Sequence, residues 1–250
     1  MYKEVQMKII VNGAGGRMGK ALRALIAQGS RGASLAAAVD PFVKEDGMIE
    51  QASRFTGDAD CIIDFSSHTG TKELVEFTVE RKLPLVIATT GHTQEELDLI
   101  TQASREIPVF YSGNMSLGIA LLTQLVRQSV AMFPDADVEI VETHHAQKVD
   151  VPSGTALMLA KAVQTARPSA TLLVGRHENG KRTKEEVGIH SLRMGTTVGI
   201  HEVHIHAGTQ TITLKHEAHD RALFAEGALA AAQFLTDKAP GLYSMHDMVK

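Results

Sequence analysis

The chain has 250 residues, 44% hydrophobic and 22% charged, with 25 basic and 29 acidic side chains and a net charge of −4. That balance, with 4% aromatics and no Trp, excludes an electrostatic nucleic-acid footprint and a stacking platform for single strands. Cys61 is the one cysteine, which excludes an internal disulfide framework and a Cys-based zinc site and fits a reducing, cytoplasmic compartment.

The opening residues MYKEVQMKIIVNG run straight into a strand, so no cleavable leader is expected. Apolar runs at 8–12, 35–39, 61–65, 85–88 and 109–111 read as strands. Helical periods lie between them at Arg17–Ala27, 72–82 and 93–105. Thr93 and Glu96 have the spacing of a capping box. Apolar strands separated by helices predict a parallel sheet covered on both faces.

After Asn114 the rhythm changes. A helix over 117–133 leads to a strand at 138–142, a polar loop and a helix at Gly154–Ala166. Gln124, Arg127 and Gln128 make the first of these too polar for a comfortable membrane span, so no membrane partner is expected. Strand-like runs at 188–193, 201–206 and 211–216 predict a mixed or mostly antiparallel sheet. An alanine-rich helix at Ala222–Leu235 follows, and the tail 241–250 is expected to return to the first domain. The fold class is therefore α/β. It has a Rossmann-like parallel-sheet dinucleotide-binding domain, residues 1–114 with the return 222–250, and an α+β substrate domain, residues 115–221. Ligand is expected in a cleft between them.

Between the first strand and the first helix the chain reads G-A-G-G-R-M-G, from Gly13 to Gly19. Gly13 suits a tight turn, Gly15 and Gly16 let backbone approach a pyrophosphate, and Gly19 lets helix and strand pack closely. Asp40 follows Gly19 at about the 20-residue interval of the ribose-binding acid in dinucleotide sites. With Pro41 rather than an arginine after it, Asp40 favours NADH. Arg17 and Lys44 keep NADPH open. A tight turn without ligand is the bland alternative.

The segment from Glu142 reads E-T-H-H-A-Q-K-V-D-V-P-S-G-T-A. Pro152 stops any preceding helix and Ser153 can cap the next one. The N–H groups of Ser153, Gly154 and Thr155 would then form an anion site suited to a carboxylate. Lys148 adds a charge, and His144 and His145 are donors that titrate near neutral pH. Asp150 either orients Lys148 or caps the loop. The bland alternative is a solvated loop with incidental histidines.

With both segments in view, the chain resembles the 4-hydroxy-tetrahydrodipicolinate reductase (dihydrodipicolinate reductase) family over nearly its whole length. The glycine loop, I-D-F-S at 63–66, A-T-T-G at 88–91, S-G-N-M-S-L-G at 112–118 and the His-His-Lys segment carry the resemblance. So do Arg193, Gly195, Gly199 and His201 in an R-x-G-x-x-x-G-x-H pattern, and the closing His216, Arg221 and Phe224. It implies NADH- or NADPH-dependent reduction of a small cyclic dicarboxylate in diaminopimelate and lysine biosynthesis. It also implies a homotetramer built through the second-domain sheet. Carried over by position, His144 is the acid/base and Lys148 the catalytic lysine, while His145, Ser153, Gly154 and Thr155 meet substrate. Gly13, Ala14, Gly15, Gly16, Arg17, Met18, Asp40, Ala88, Thr89, Thr90, Ser112, Gly113, Asn114 and Met115 take the cofactor places. Ala88 replaces a glycine, Met115 an aromatic, and Thr209-Gln210 stands where an acid is expected.

No metal site is assigned. His201, Glu202, His204 and His206 look like a cluster, but on a strand His201 points away from the other two histidines. They read as polar strand residues near the site or an interface, and Cys61 as a core residue. Another two-domain dehydrogenase and a non-catalytic NAD(H) sensor are the competing readings. The sensor would have no need of His144, Lys148 and the Ser-Gly-Thr helix start together.

Overall fold

A computed structural model describes residues 6–249. The leader expectation at residues 1–5 and Lys250 of the returning tail lie outside them. The chain divides into two compact units. One takes the described residues up to Ser116 with Ala222–Met248, and the other is Leu117–Arg221.

The first unit holds β1 (Met7–Asn12), α1 (Arg17–Ala27), β2 (Ala33–Val39), β3 (Met48–Ile49), β4 (Cys61–Asp64), α2 (Thr71–Glu80), β5 (Leu85–Ile87), α3 (Gln94–Ala103) and β6 (Pro108–Tyr111). Its seven-stranded sheet runs β12-β6-β5-β4-β1-β2-β3 and is parallel throughout; β12 is described below. Met7, Ile9, Ile10 and Val11 of β1 are all fully buried, a run without alternation because helices cover both faces. Leu22 and Ile26 of α1 share the buried face at helical spacing. Strand order reverses between β4 and β1, and a parallel sheet binds its ligands at the carboxyl ends beside such a switch. Thr93 caps α3: its Oγ1 accepts from the Glu96 N–H at 3.3 Å, and the Glu96 carboxylate accepts from the Thr93 N–H at 2.7 Å.

The second unit holds α4 (Leu117–Met132), β7 (Asp137–His144), α5 (Gly154–Ala166), β8 (Thr171–Val174), β9 (Glu186–Arg193), β10 (Gly199–Ala207) and β11 (Gln210–Ala218). The sheet order is β11-β10-β7-β9-β8. β7, β9 and β8 run parallel, and β10 is antiparallel to both β7 and β11. This is the mixed sheet that the sequence predicts. Val138 and Ile140 on β7, Val187 and Ile189 on β9, and Val203 and Ile205 on β10 pack with Val126 and Val130 of α4 and Leu159 and Val163 of α5. Period-two alternation turns the intervening residues to the opposite face.

The chain then re-enters the first unit as α6 (Ala222–Leu235), β12 (Gly241–Tyr243) and α7 (Met245–Met248). α6 is alanine-rich because it packs closely; a Cβ at Gly227 would stand 1.7 Å from the Met115 carbonyl oxygen. Met115 and Ser116, which the sequence reading places in the second domain, belong to the first unit. Three short edge strands, β3, β8 and β12, escape pattern reading because backbone pairing alone defines them. Among the described residues, no helix is long and apolar enough to cross a membrane.

Candidate active site

The first group of site residues surrounds the β1–α1 turn. Gly13 has φ +77, and a Cβ there would meet the Phe65 carbonyl oxygen at 2.6 Å. A Cβ at Gly19 would stand 2.1 Å from the Gly13 carbonyl oxygen, so Gly19 is the close-packing glycine. A Cβ at Gly15 would strike Val43 at 2.5 Å. Gly15 therefore makes room for Val43, a neighbour that the spacing alone does not reveal.

The N–H groups of Gly13 and Ala14 donate to the Val39 carbonyl at 2.9 and 3.0 Å. Gly16 donates to the Gly13 carbonyl at 3.1 Å, and Gly15 to Asp40 Oδ2 at 2.9 Å. The sequence reading aims these backbones at a pyrophosphate; the structure commits all four N–H groups within the protein. The donors suited to an anion are the N–H groups of Arg17 and Met18, in the first turn of α1, where the helix offers no acceptor. Gly16 caps that helix without a side chain, and its first turn holds no acid. No acid of the helix itself counters the positive end of α1, and this fits a pyrophosphate.

Asp40 is buried, 7% exposed. Besides Gly15, its carboxylate accepts from the Phe42 and Val43 N–H groups at 2.9 and 3.0 Å. It thus ties the segment after β2 to the glycine loop, a role the sequence interval did not predict. Asp40 also lines a cavity of about 350 Å³ with Asn12, Phe65, Ser66, Glu50 and Glu73. Among the described residues no lysine or arginine lines it, though Arg54 and Lys44 pair with Glu50 at 3.1 and 3.9 Å.

Asp64, at the end of β4, organises the next loops. Its carboxylate accepts from Asn12 Nδ2 at 2.8 Å, Ser66 Oγ at 2.5 Å and Thr89 Oγ1 at 2.6 Å. Ala88 donates its N–H to the Asp64 carbonyl at 2.9 Å. Ser112 Oγ donates to the Asn114 carbonyl at 2.7 Å, and Asn114 Oδ1 accepts from the Ser116 N–H at 2.9 Å. Thr90 and Gly113 are exposed, whereas Thr89 and Met115 are buried. Thr89, read from sequence as a cofactor contact, spends its hydroxyl on Asp64.

The second group lies in the second unit, where β7 leads into α5. His144 ends β7 and is 8% exposed. Glu142, two residues earlier on the same strand face, is fully buried. Its Oε2 accepts from His144 Nδ1 at 2.5 Å and Arg193 Nη1 at 2.9 Å. Its Oε1 accepts from Arg193 Nη2 at 2.9 Å and the Ser153 N–H at 3.1 Å. Burial works to raise the Glu142 pKa, but the hydrogen bonds from Arg193 and His144 outweigh it and hold it down at about 2. For His144, burial lowers the pKa and the Glu142 carboxylate opposes that shift, with a lowered net value. The resting imidazole is therefore neutral at neutral pH.

Ser153 caps α5, its Oγ accepting from the Ala156 N–H at 3.2 Å and lying 3.1 Å from His201 Nε2. Its N–H is held by Glu142, so Ser153 supports the site and is not the anion donor that the sequence suggests. Gly154 is exposed and Thr155 half-buried at the same helix start. Lys148 Nζ pairs with Asp150 Oδ1 at 2.8 Å, which is the contact the orienting alternative requires. Arg221 Nη2 donates to His145 Nε2 at 3.3 Å, and both line a cavity of about 460 Å³ with Gln147, Thr196 and His219.

Glu142, Arg193 and His201 carry no assigned role in the sequence reading. The signal was present for one of them. Glu142 shares its strand face with Val138 and Ile140, and a carboxylate on a core face demands a partner. Arg193 and His201 reach the site from β9 and β10, and only the fold brings them there. His201 lies edge-on to His144, ring centres 5.1 Å apart, and burial, then the nearby His144, lower its pKa to about 4. His204 and His206 face the other way and approach Thr213 and Thr211. Cys61 is buried in β4 and burial pushes its thiol pKa up, as suits a core residue.

The family model for the N-terminus of dihydrodipicolinate reductase matches residues 7–115, and that for its C-terminus matches 118–249. The chain is 42% identical to 4-hydroxy-tetrahydrodipicolinate reductase of Caldanaerobacter subterraneus subsp. tengcongensis, covering 98% of this chain and 99% of the relative. It is 39% identical to the reductase of the same name from Clostridium novyi, covering 97% and 98%. In fold it is similar to a dipicolinate-bound dihydrodipicolinate reductase from Paenisporosarcina sp. TG-14. The TM-score is 0.79 at 23% identity, over 98% of this chain and 100% of that one. With both halves matched in order and relatives aligned end to end, the chain belongs to the dihydrodipicolinate reductase family.

Proposed function

We propose that this chain reduces 4-hydroxy-tetrahydrodipicolinate to tetrahydrodipicolinate with His144 as proton donor and Lys148 as the cation that steadies the substrate. The chain is a nicotinamide-dependent oxidoreductase of the diaminopimelate and lysine pathway. The observation that carries the residue assignment is the His144–Glu142 pair, beside a lysine and a helix start in one loop. That combination suits proton delivery to a bound dicarboxylate.

When bound, the reduced nicotinamide supplies the hydride. In the first unit, the Arg17 and Met18 N–H groups take the pyrophosphate, and Asp40, Thr90 and Gly113 border the rest of the nucleotide. Ala88, Ser112 and Asn114 set the loops that present it. NADH is favoured over NADPH because Asp40, Glu50 and Glu73 line the cavity by the glycine loop, and the basic side chains beside it, Arg54 and Lys44, are already paired with Glu50.

In the second unit, Lys148, His145, and the N–H groups of Gly154 and Thr155 receive the substrate's carboxylates. Negative charge brought beside the neutral His144 raises its pKa, so substrate binding itself loads the acid. The proton then leaves His144 as negative charge builds on the substrate ring.

The chain acts as a cytoplasmic homotetramer, assembled through the second sheet. Both helices of the second unit pack on the face that carries Val138 and Ile140, and the other face presents Val141, Ile200 and Leu192 among polar residues. Light scattering on the purified chain tests the assembly.

The deciding experiment follows nicotinamide absorbance with freshly generated substrate and NADH or NADPH in parallel. Substrate-dependent oxidation, faster with NADH, is expected. Nucleotide binding without oxidation would overturn the reductase reading, and equal rates would overturn the cofactor preference.

A further inference from the structure

The pattern R-x-G-x-x-x-G-x-H, from Arg193 to His201, has no part in the chemistry above. Yet three of its members surround His144. Arg193 holds Glu142 through both guanidinium Nη atoms, each at 2.9 Å. His201 lies against the His144 ring. Gly199 opens β10 beside the ring's outer nitrogen, where a Cβ would stand 3.1 Å from His144 Nε2 and 3.5 Å from Cδ2.

We propose that Arg193, Glu142 and Gly199 are positioning residues for His144. The Arg193–Glu142 pair fixes the ring with its Nδ1–H donated inward, so that Nε2 alone exchanges the proton, and Gly199 keeps Nε2 uncovered. An ionised carboxylate only accepts, so the nitrogen 2.5 Å from Glu142 must carry the hydrogen. In the neutral ring Nε2 is then the lone-pair atom, and in the loaded acid it bears the transferable proton. A paired fork from Arg193 holds the carboxylate in one orientation, which a point charge would not do. Alanine at 199 would crowd that nitrogen without touching the ion pair.

A purely structural ion pair joining β7, β9 and α5 would place the same atoms together, so the test must read the ring itself. The full chain, labelled with 15N at histidine, is titrated by NMR as wild type, Glu142→Gln, Arg193→Lys and Gly199→Ala. In the wild type, neutral His144 is expected to carry its hydrogen on Nδ1. Glu142→Gln is expected to mix the two tautomers and to lower kcat about 10²-fold, leaving KM for NADH unchanged. Its alkaline limb of kcat moves to lower pH. Charged and titratable neighbours on all sides enter this shift: Glu142 from β7 and Asp150 from the following loop favour the imidazolium, Lys148 from that loop and Arg193 from β9 oppose it, and His201 from β10 is neutral in that range. Loss of the Glu142 charge, the one hydrogen-bonded to the ring, lowers the His144 pKa. Arg193→Lys is expected to fall between wild type and Glu142→Gln. Gly199→Ala is expected to lower kcat with the tautomer and the pH limb unmoved.

Wild-type His144 with its hydrogen on Nε2 overturns the proposal, and so does a folded Glu142→Gln with unchanged kcat and pH limb. If that variant fails to fold, the wild-type tautomer and Gly199→Ala decide. The proposal rests on His144 as donor, and His144→Gln separates the two. Full turnover in that variant removes the donor role, whatever the tautomer. An Nε2–H ring with turnover lost removes only the positioning.

Discussion

Two strand-to-helix corners carry this protein's proposed site residues, and they are built from different materials. At β1–α1 the corner is backbone. Glycines permit the turn, Gly16 caps without a side chain, and the helix start offers its N–H groups to an anion. At β7–α5 the corner is side chain. Ser153 caps the helix, its N–H is held by Glu142, and the charge-changing groups beside it are the His144 imidazole and the Lys148 ammonium. The difference follows from the tasks. A pyrophosphate keeps its charge through the reaction, so fixed dipoles suffice. A proton donor must change charge, and no backbone group can do so near neutral pH.

The largest expected effect that tests this division is His144→Gln. Turnover should fall about 10²- to 10⁴-fold while nucleotide affinity, read by fluorescence titration, stays near wild type. Loss of nucleotide affinity would show that the two corners are not separate. Lys148→Ala comes next. Removing a charged partner of a carboxylate should cost about 1.5–3 kcal/mol, seen as a raised KM for the proposed dicarboxylate substrate. Gly19→Ala strikes the other corner. Its Cβ would stand 2.1 Å from the Gly13 carbonyl oxygen, so thermal melts should show a loss of about 1–3 kcal/mol, with weaker NADH binding. The His144 tautomer should not move.

The smallest effect sharpens the electrostatics. In the folded chain Glu142 titrates at about 2 and His201 at about 4, below their ordinary values of 4.5 and 6.5. The unfolded chain therefore binds protons that the folded one refuses. Stability present above pH 6.5 should fall gradually as His201 is forced to charge, then further between pH 4.5 and 2 as Glu142 protonates. Urea unfolding across that range checks the slope, and Glu142→Gln should flatten its lower part.

Much of the fold was legible because its signals are local. The bounds of α5 and α6, Gly154–Ala166 and Ala222–Leu235, follow from helical period and from the cap and turn residues beside them. The Thr93–Glu96 box needs partners three residues apart. Short edge strands such as β8 and β12 were not legible, since a few residues paired on one side leave no period to detect. The His-His-Lys loop was legible as a local cluster of titratable side chains. Its support was not, and neither was the commitment of four glycine-loop N–H groups inside the protein.

What the sequence determined by itself is the set of features whose partners lie within a few residues: the glycine turn, the helix starts, the alternation of strands and helices, and the pairing of two histidines with a lysine. What only the tertiary structure decided is which groups meet across the fold. Arg193 reaches Glu142 over 51 positions, His201 reaches Ser153 over 48, and Asp40 reaches Gly15 over 25. Local signals survive in a linear string because the covalent chain holds the partners together. Long-range contacts exist only when burial of the sheet cores has brought distant strands into register, and the buried carboxylate of Glu142 gains its four donors at that point.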